Sequence, residues 1–337
     1  MKNKVSFVVP VYKVDLELLN KCLMSIKNQT YNNIEALIIL DGSDNEVIDF
    51  CKEFASDDSR FIVISRENRG VSYTRNEGIE KANGEWIVFV DADDWIETDM
   101  CELFFKKTKD VIDNLDFALF RCFINGKEEK TIKNCVDEDC LIDENFKIKL
   151  FQSTYGTKYG FFSCCEAVWK NFFNRKFLLD NNIKFDSNIR IGEDMLFNYQ
   201  VWMNSKCGYY INIPVYHYRI NEQSVMNSNF KKLNDNYSIL FPAFDKFVES
   251  LPIIYRENNE VFILRQVERF ALNHFFVKEN NYKDFKNYIC NDYYIKKINS
   301  VKLSVLDNKH KLFCLLLKLR MYYFMGLICL FFNKKRG

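Results

Sequence analysis

Over its first ninety residues the chain alternates short, mostly apolar runs with segments whose apolar residues recur at every third or fourth position, and few folds accommodate that pattern. Residues 5–9 form the first run, closed by Pro10, and residues 16–28 follow with Leu16, Leu19, Leu23 and Ile26 at helical spacing. Residues 34–40 are a second run, ended by the turn signal Asp41-Gly42-Ser43-Asp44 and followed by a helical pattern over 47–54. A third strand over 61–64, a helix over 71–82 and a fourth strand over 86–90 complete the series. Runs buried on both faces and joined by helices of about a dozen residues form a parallel sheet with right-handed crossovers. Ligands of such sheets gather beyond the carboxyl ends of the strands. Those ends carry Pro10-Val11-Tyr12, Asp41-Gly42-Ser43, Arg66-Glu67-Asn68 and Asp91-Ala92-Asp93-Asp94.

Farther on, residues 116–123 read as a strand, 126–140 as a charged excursion, 145–152 as a helix and 161–173 as a stretch dense in aromatics. A helix over 193–203 is entered through Gly192, and short strands over 209–213 and 215–219 flank Pro214. From about residue 229 the pattern is helical. The fold class is therefore α/β: a Rossmann-like, mostly parallel sheet flanked by helices, with a C-terminal helical extension. Three regions are expected, namely 1–110, 111–228 and a helical part over 229–337. With 47 Lys+Arg against 46 Asp+Glu, the net charge of +1 argues against a general nucleic-acid binder, which needs a basic excess. The 12 cysteines are scattered without a C-x-x-C pair, which points to reduced thiols in the cytoplasm. The N-terminal apolar run stops at Pro10 without a cleavage site and reads as a first strand, not a signal peptide.

Two acidic pairs carry chemistry. Asp91 and Asp93 follow an apolar run of five residues, and two carboxylates just past a strand end can hold a hard divalent cation that bridges phosphate oxygens. Such a cation neutralises charge on a departing diphosphate, although an Asp-rich loop without a ligand has the same letters. Glu193 and Asp194 could take the proton of a hydroxyl as it attacks. Acids also suit the first turn of any helix.

Six segments, in order and spacing, resemble the family 2 glycosyltransferases with a GT-A fold: Val5-Ser6-Phe7-Val8-Val9-Pro10-Val11-Tyr12, Asn28-Gln29-Thr30-Tyr31, Asp41-Gly42-Ser43, Asn68-Arg69-Gly70-Val71-Ser72, Arg75-Asn76-Glu77-Gly78 and Asp91-Ala92-Asp93-Asp94. The resemblance spans about residues 4–110 closely and 160–226 more loosely. It implies an inverting, metal-dependent transfer of one sugar from a nucleotide-sugar, expected to be UDP-linked, to a saccharide or lipid-linked glycan in surface polysaccharide synthesis. It further implies that Pro10, Val11 and Tyr12 lie against the base and ribose. Asp41 would bond uracil, Leu40 standing where many relatives have a second aspartate. Arg75 is implied near the diphosphate or ribose, Asp91 and Ala92 near the ribose and metal, and Asp93 as the direct ligand of Mg²⁺ or Mn²⁺. Asp194 is implied as the base, with Glu193 beside the acceptor. In relatives a stretch comparable to Tyr216-His217-Tyr218-Arg219 leads into a loop closing over the donor, here ending at Ser224. Arg219 would pair with the diphosphate. His217 would be a third metal ligand or a diphosphate contact, or else an ordinary core or surface histidine. Trp169 offers an aromatic face to the acceptor sugar, or packs in the core.

Residues 312–332 are strongly apolar but broken by Lys318 and Arg320, and Lys334-Lys335-Arg336 follows. The uninterrupted part, 321–332, is too short to cross a bilayer and suits a helix lying in the membrane interface, or one packed on protein. The chain is thus expected to be cytoplasmic and peripheral on the inner face of the plasma membrane. Nucleotidyl transfer is a competing class, but it calls for a glycine-rich loop where this chain has Pro10-Val11-Tyr12-Lys13. A catalytically silent scaffold of a polysaccharide assembly complex is another, opposed by the intact Asp93 and Asp194.

Overall fold

A computed structural model of the chain describes residues 3–125, 127–128, 138–154, 167–219, 230–271 and 282–333. Much of the charged excursion, the start of the aromatic stretch, the loop ending at Ser224 and the basic residues 334–336 lie outside the described residues. The chain divides into two units, one of residues 1–147 and 166–227, the other of residues 148–165 and 228–337.

The first unit is built on a ten-stranded sheet. Strands β1 (Val5–Val11), β2 (Ile34–Asp41), β3 (Phe61–Arg66) and β4 (Trp86–Phe89) lie parallel in the order β3-β2-β1-β4. Helices α1 (Leu16–Lys27), α2 (Asn45–Ser56) and α3 (Val71–Lys81) connect them. Asp15 caps α1 by accepting from the backbone N–H groups of Glu17 and Leu18, and Leu19, Cys22, Leu23 and Ile26 form its buried face. Every residue of β2 is buried, Glu35 and Asp41 included, as a strand covered on both faces should be. Gly78 brings α3 against β1, since a Cβ there would stand 2.3 Å from Cγ1 of Val8.

Beyond β4 the sheet becomes mixed. Strand β5 (Trp95–Ile96) is followed by helix α4 (Met100–Thr108), strands β6 (Phe117–Ile124), β7 (Lys127–Glu128) and β8 (Cys140–Leu141), and helix α5 (Glu144–Thr154), which belongs to the second unit from Ile148 on. Strand β9 (Asn171–Asn174), helices α6 (Arg175–Asp180) and α7 (Glu193–Asn204), and strand β10 (Gly208–Tyr218) complete the unit. β9 lies antiparallel between β4 and β6, and β10 runs parallel to β6. The end of the aromatic stretch is therefore core: Phe172 stacks on Phe104, while Phe173 meets Phe89 and Phe197. The two strands expected around Pro214 are one, with register shifts on either side of the proline. Lacking an N–H, Pro214 bulges the strand instead of ending it.

The second unit contains α8 (Phe230–Val248), α9 (Ile253–Phe270), α10 (Tyr282–Ile289), α11 (Asp292–Ser300), α12 (Asn308–Lys318) and α13 (Tyr322–Asn333). Its core includes Phe241, Phe244, Phe262 and Tyr294. On α12, α13 and their junction, Leu312, Leu315, Leu319, Tyr323, Phe324 and Leu327 are exposed. Among the described residues no helix is long and apolar enough to cross a membrane.

Candidate active site

From β1 the chain moves outward through β2 and β3, then returns to lay β4 on the other side of β1. Such a reversal opens a crevice at the carboxyl ends of the two strands. The N–H of Val90 still bonds Val8 O at 3.0 Å, after which residues 91–94 turn, with Asp94 N bonding Asp91 O at 3.0 Å. This turn is tied to the end of β10. The N–H of Asp91 donates to the Tyr216 hydroxyl (3.1 Å), that hydroxyl donates to Asp94 Oδ2 (2.8 Å), and Asp94 Oδ1 accepts the N–H of Arg219 (2.9 Å). Burial and the neighbouring Asp91 push the Asp94 carboxyl up to about 8. The same two causes raise Asp93.

Across the crevice stands the start of α7. Gly192 enters it with φ +89°, in the left-handed region that glycine adopts at little cost. Phe197 anchors the helix in a cluster with Phe89, Phe173 and Phe185. Glu193 and Asp194 in the first turn therefore have fixed positions. Arg75, on α3 and 3% exposed, meets both acidic pairs. Its Nη1 donates to Asp194 Oδ1 at 2.5 Å and Glu193 Oε1 at 3.3 Å, and its Nη2 donates to Asp91 Oδ1 at 2.9 Å. Burial and the charge of Asp194 push Glu193 up to about 8. Burial also raises Asp194, against the opposing pull of Arg75. Burial alone would lower the proton affinity of Arg75, but Asp194, Asp91 and Glu193 together raise it.

Asp41, 3% exposed, accepts from Arg66 Nη1 (2.6 Å) and from the N–H groups of Arg69 (2.7 Å) and Gly70 (2.8 Å). It thereby fixes the loop before α3, using three of the roughly four acceptor positions of a carboxylate. Pro10 is half-buried at the tip of β1, Val11 is buried, and Tyr12 is 49% exposed. Ala92 is buried beneath the turn.

The chemistry of the donor set suits a cation that keeps waters and phosphate oxygens in its shell. Asp91, Asp93, Asp94, Glu193 and Asp194 crowd near Arg75 and Arg219, and four of these five carboxyls have raised proton affinity. Such a surplus of negative charge favours a divalent ion. Among the described residues no three His, Cys, Asp or Glu side chains converge as a ready cage.

Three of the expected site residues have protein partners of their own in this geometry. Successive residues of a strand face opposite sides. Tyr216 turns to Asp94, whereas His217 packs between Trp95 and Phe123 and bonds Glu97 Oε1 through Nε2 at 2.6 Å. His217 is therefore directed away from the aspartates. Trp169 is 4% exposed and stacks on Tyr216 and Tyr218, so it supports the site from the core. Arg75 faces the carboxylates of Asp91, Glu193 and Asp194.

Residues 6–180 match the family model described as Glycosyl transferase family 2. EpsH of Bacillus subtilis strain 168 is 32% identical over 266 residues, 77% of this chain and 74% of its own length. The chain belongs to glycosyltransferase family 2. The minor teichoic acid biosynthesis protein GgaB of the same organism is 30% identical over 240 residues, which make up 69% of this glycosyltransferase but 25% of GgaB. Among solved structures, S. aureus TarS 1–349 in complex with UDP-GlcNAc has a TM-score of 0.71 at 18% identity, covering 98% of this chain and 92% of that one. The shared fold is the GT-A fold.

Asp94 and Tyr216 escaped the motif reading of this glycosyltransferase. The third aspartate of Asp91-Ala92-Asp93-Asp94 gave a signal, but nothing in the sequence said that Tyr216 would reach it from 122 residues away.

Proposed function

We propose that this chain moves one sugar from a nucleoside diphosphate sugar to a hydroxyl of a saccharide or lipid-linked glycan, with inversion by direct displacement. The observation that carries this reading is the distance between two functions: the acidic turn after β4 and the carboxylate of Asp194 are separated by a single guanidinium. A donor diphosphate at the turn would leave its anomeric carbon toward α7, where Asp194, its side chain 21% exposed, accepts the proton of the incoming hydroxyl. Asp93, with Asp91, would hold Mg²⁺ or Mn²⁺, which when bound supplies charge neutralisation for the leaving diphosphate. Pro10, Val11 and Tyr12 would border the base and ribose. The remaining acceptor capacity of Asp41 suits the imide N–H of uracil. Arg219, whose Nε is buried with no partner among the described residues, would turn its fork to the diphosphate. TarS, which shares the fold and has been seen with UDP-GlcNAc, supports a UDP-linked N-acetylhexosamine or hexose as donor.

The reading extends to peripheral attachment at the cytoplasmic membrane face, in surface polysaccharide or teichoic acid synthesis. Its support is the exposed apolar face of α12 and α13 and the tail's charge: after Asp307 there are seven Lys and Arg and no Asp or Glu. The testing experiment is turnover with a panel of UDP-, GDP- and dTDP-sugars, with Mn²⁺ and with EDTA. Release of UDP that depends on the cation is expected. Absence of turnover under every condition would favour a silent scaffold, and pyrophosphate release from a triphosphate would favour nucleotidyl transfer.

A further inference from the structure

The guanidinium of Arg75 is almost wholly enclosed, and it donates to three carboxylates. One nitrogen serves Asp194 and Glu193 on α7, the other serves Asp91 after β4, and Nε has no hydrogen-bond partner among the described residues. The ring of Phe185 lies 5.4 Å from its centre. The backbone beneath it is set by Gly78, whose missing Cβ lets α3 sit on Val8 of β1. A guanidinium does not give up its proton in proteins, and its planar fork fixes direction as well as charge. A lysine at this position would supply the charge without the fork.

We infer that Arg75 is a positioning residue: it aims the Asp194 carboxylate at the acceptor and ties that orientation to Asp91 on the donor side. This rests on the proposed role of Asp194 as the base. Adjacent carboxylates tend to share a proton, and a shared proton would turn Asp194 into a donor. The charged groups facing Asp194 are Arg75 from α3, Asp91 from the turn after β4 and Glu193 from its own helix. Of these only Arg75 favours the anion by its charge. Through its second nitrogen the same fork holds Asp91, so a shift on the donor side is felt at the base. A proton-accepting oxygen misplaced by about 1 Å can cost about 10²-fold in rate.

The test uses the full chain with Arg75→Lys and Arg75→Ala, measuring kcat, the donor KM, UDP affinity by calorimetry, and rescue by added guanidinium. Both variants are expected to lose about 10²-fold in kcat. Donor KM and UDP affinity should change by less than about threefold, because the interaction acts after donor binding. Guanidinium should restore part of the Arg75→Ala rate, whereas a generally loosened fold would not be rescued. Arg75→Lys keeps a cation in place should Arg75→Ala fail to fold, and circular dichroism checks both. A loss confined to KM and UDP affinity would make Arg75 a donor ligand and overturn the inference, as would a kcat within about twofold of the parent. Asp194→Asn measured alongside separates the two readings. An active Asp194→Asn removes the base assignment itself, whereas a dead Asp194→Asn with an intact Arg75→Lys removes only this inference.

Discussion

At the scale of single residues the site is a problem in charge. Glu193 is pushed up to about 8 by burial and by Asp194, and Asp194 is itself raised by burial, with only Arg75 opposing among the nearby charges. A carboxyl with raised affinity is protonated below its shifted range, and a protonated pair cannot accept the acceptor's proton. Turnover should therefore fall as pH drops, by about tenfold per unit below the limb, and the limb should lie above the usual carboxylate range. A kcat profile that is flat between about pH 5 and about pH 9 would contradict this. The acidic residues themselves were legible as short motifs, because strand ends and helix starts are local features. What each carboxylate touches was not. Arg75 reaches 119 residues to Asp194, and Tyr216 reaches 125 to the backbone of Asp91; such pairings belong to the fold.

At the scale of elements, α3 is the part on which the site depends most. Its contact with β1 is set by Gly78, where a Cβ would meet both methyls of Val8, at 2.3 and 2.7 Å. Gly78→Ala should cost about 1–3 kcal/mol through overpacking, read as a lower denaturation midpoint. Activity should fall beyond what the stability loss explains, because the displaced helix carries Arg75. A variant as stable and active as the parent would show that α3 has slack. The first four strands and three helices could be read from apolar runs and helical spacing. β5 could not, because two residues hold no readable pattern, and β9, as short as β4, lies inside a longer aromatic stretch that hides its bounds. The antiparallel direction of β9 is likewise fixed by its neighbours and leaves no trace in its own sequence. α4 is hard to read because it is nine residues long and only Met100, Cys101, Phe104 and Thr108 are buried, too few to display a helical repeat.

For the whole molecule, the two units divide the work. The first holds every residue assigned to donor, cation and base, and the second presents an apolar surface with basic surroundings. Leu315, Leu319 and Phe324 on that surface should insert among lipid headgroups, and Arg320 at the corner between α12 and α13 should meet anionic ones. Co-sedimentation with phosphatidylglycerol-containing vesicles should weaken at least about tenfold when all three are replaced by Gln, with turnover on a soluble acceptor unchanged. Equal binding of parent and variant would assign this face to protein contacts instead. The account as a whole rests on Asp194 as the group that receives the acceptor's proton. Its most direct test is Asp194→Asn, with UDP affinity taken by calorimetry and kcat taken on the donor that the parent uses. UDP should bind as tightly as before while kcat falls by about 10²–10⁴-fold, whereas turnover at the parental rate would contradict the mechanism.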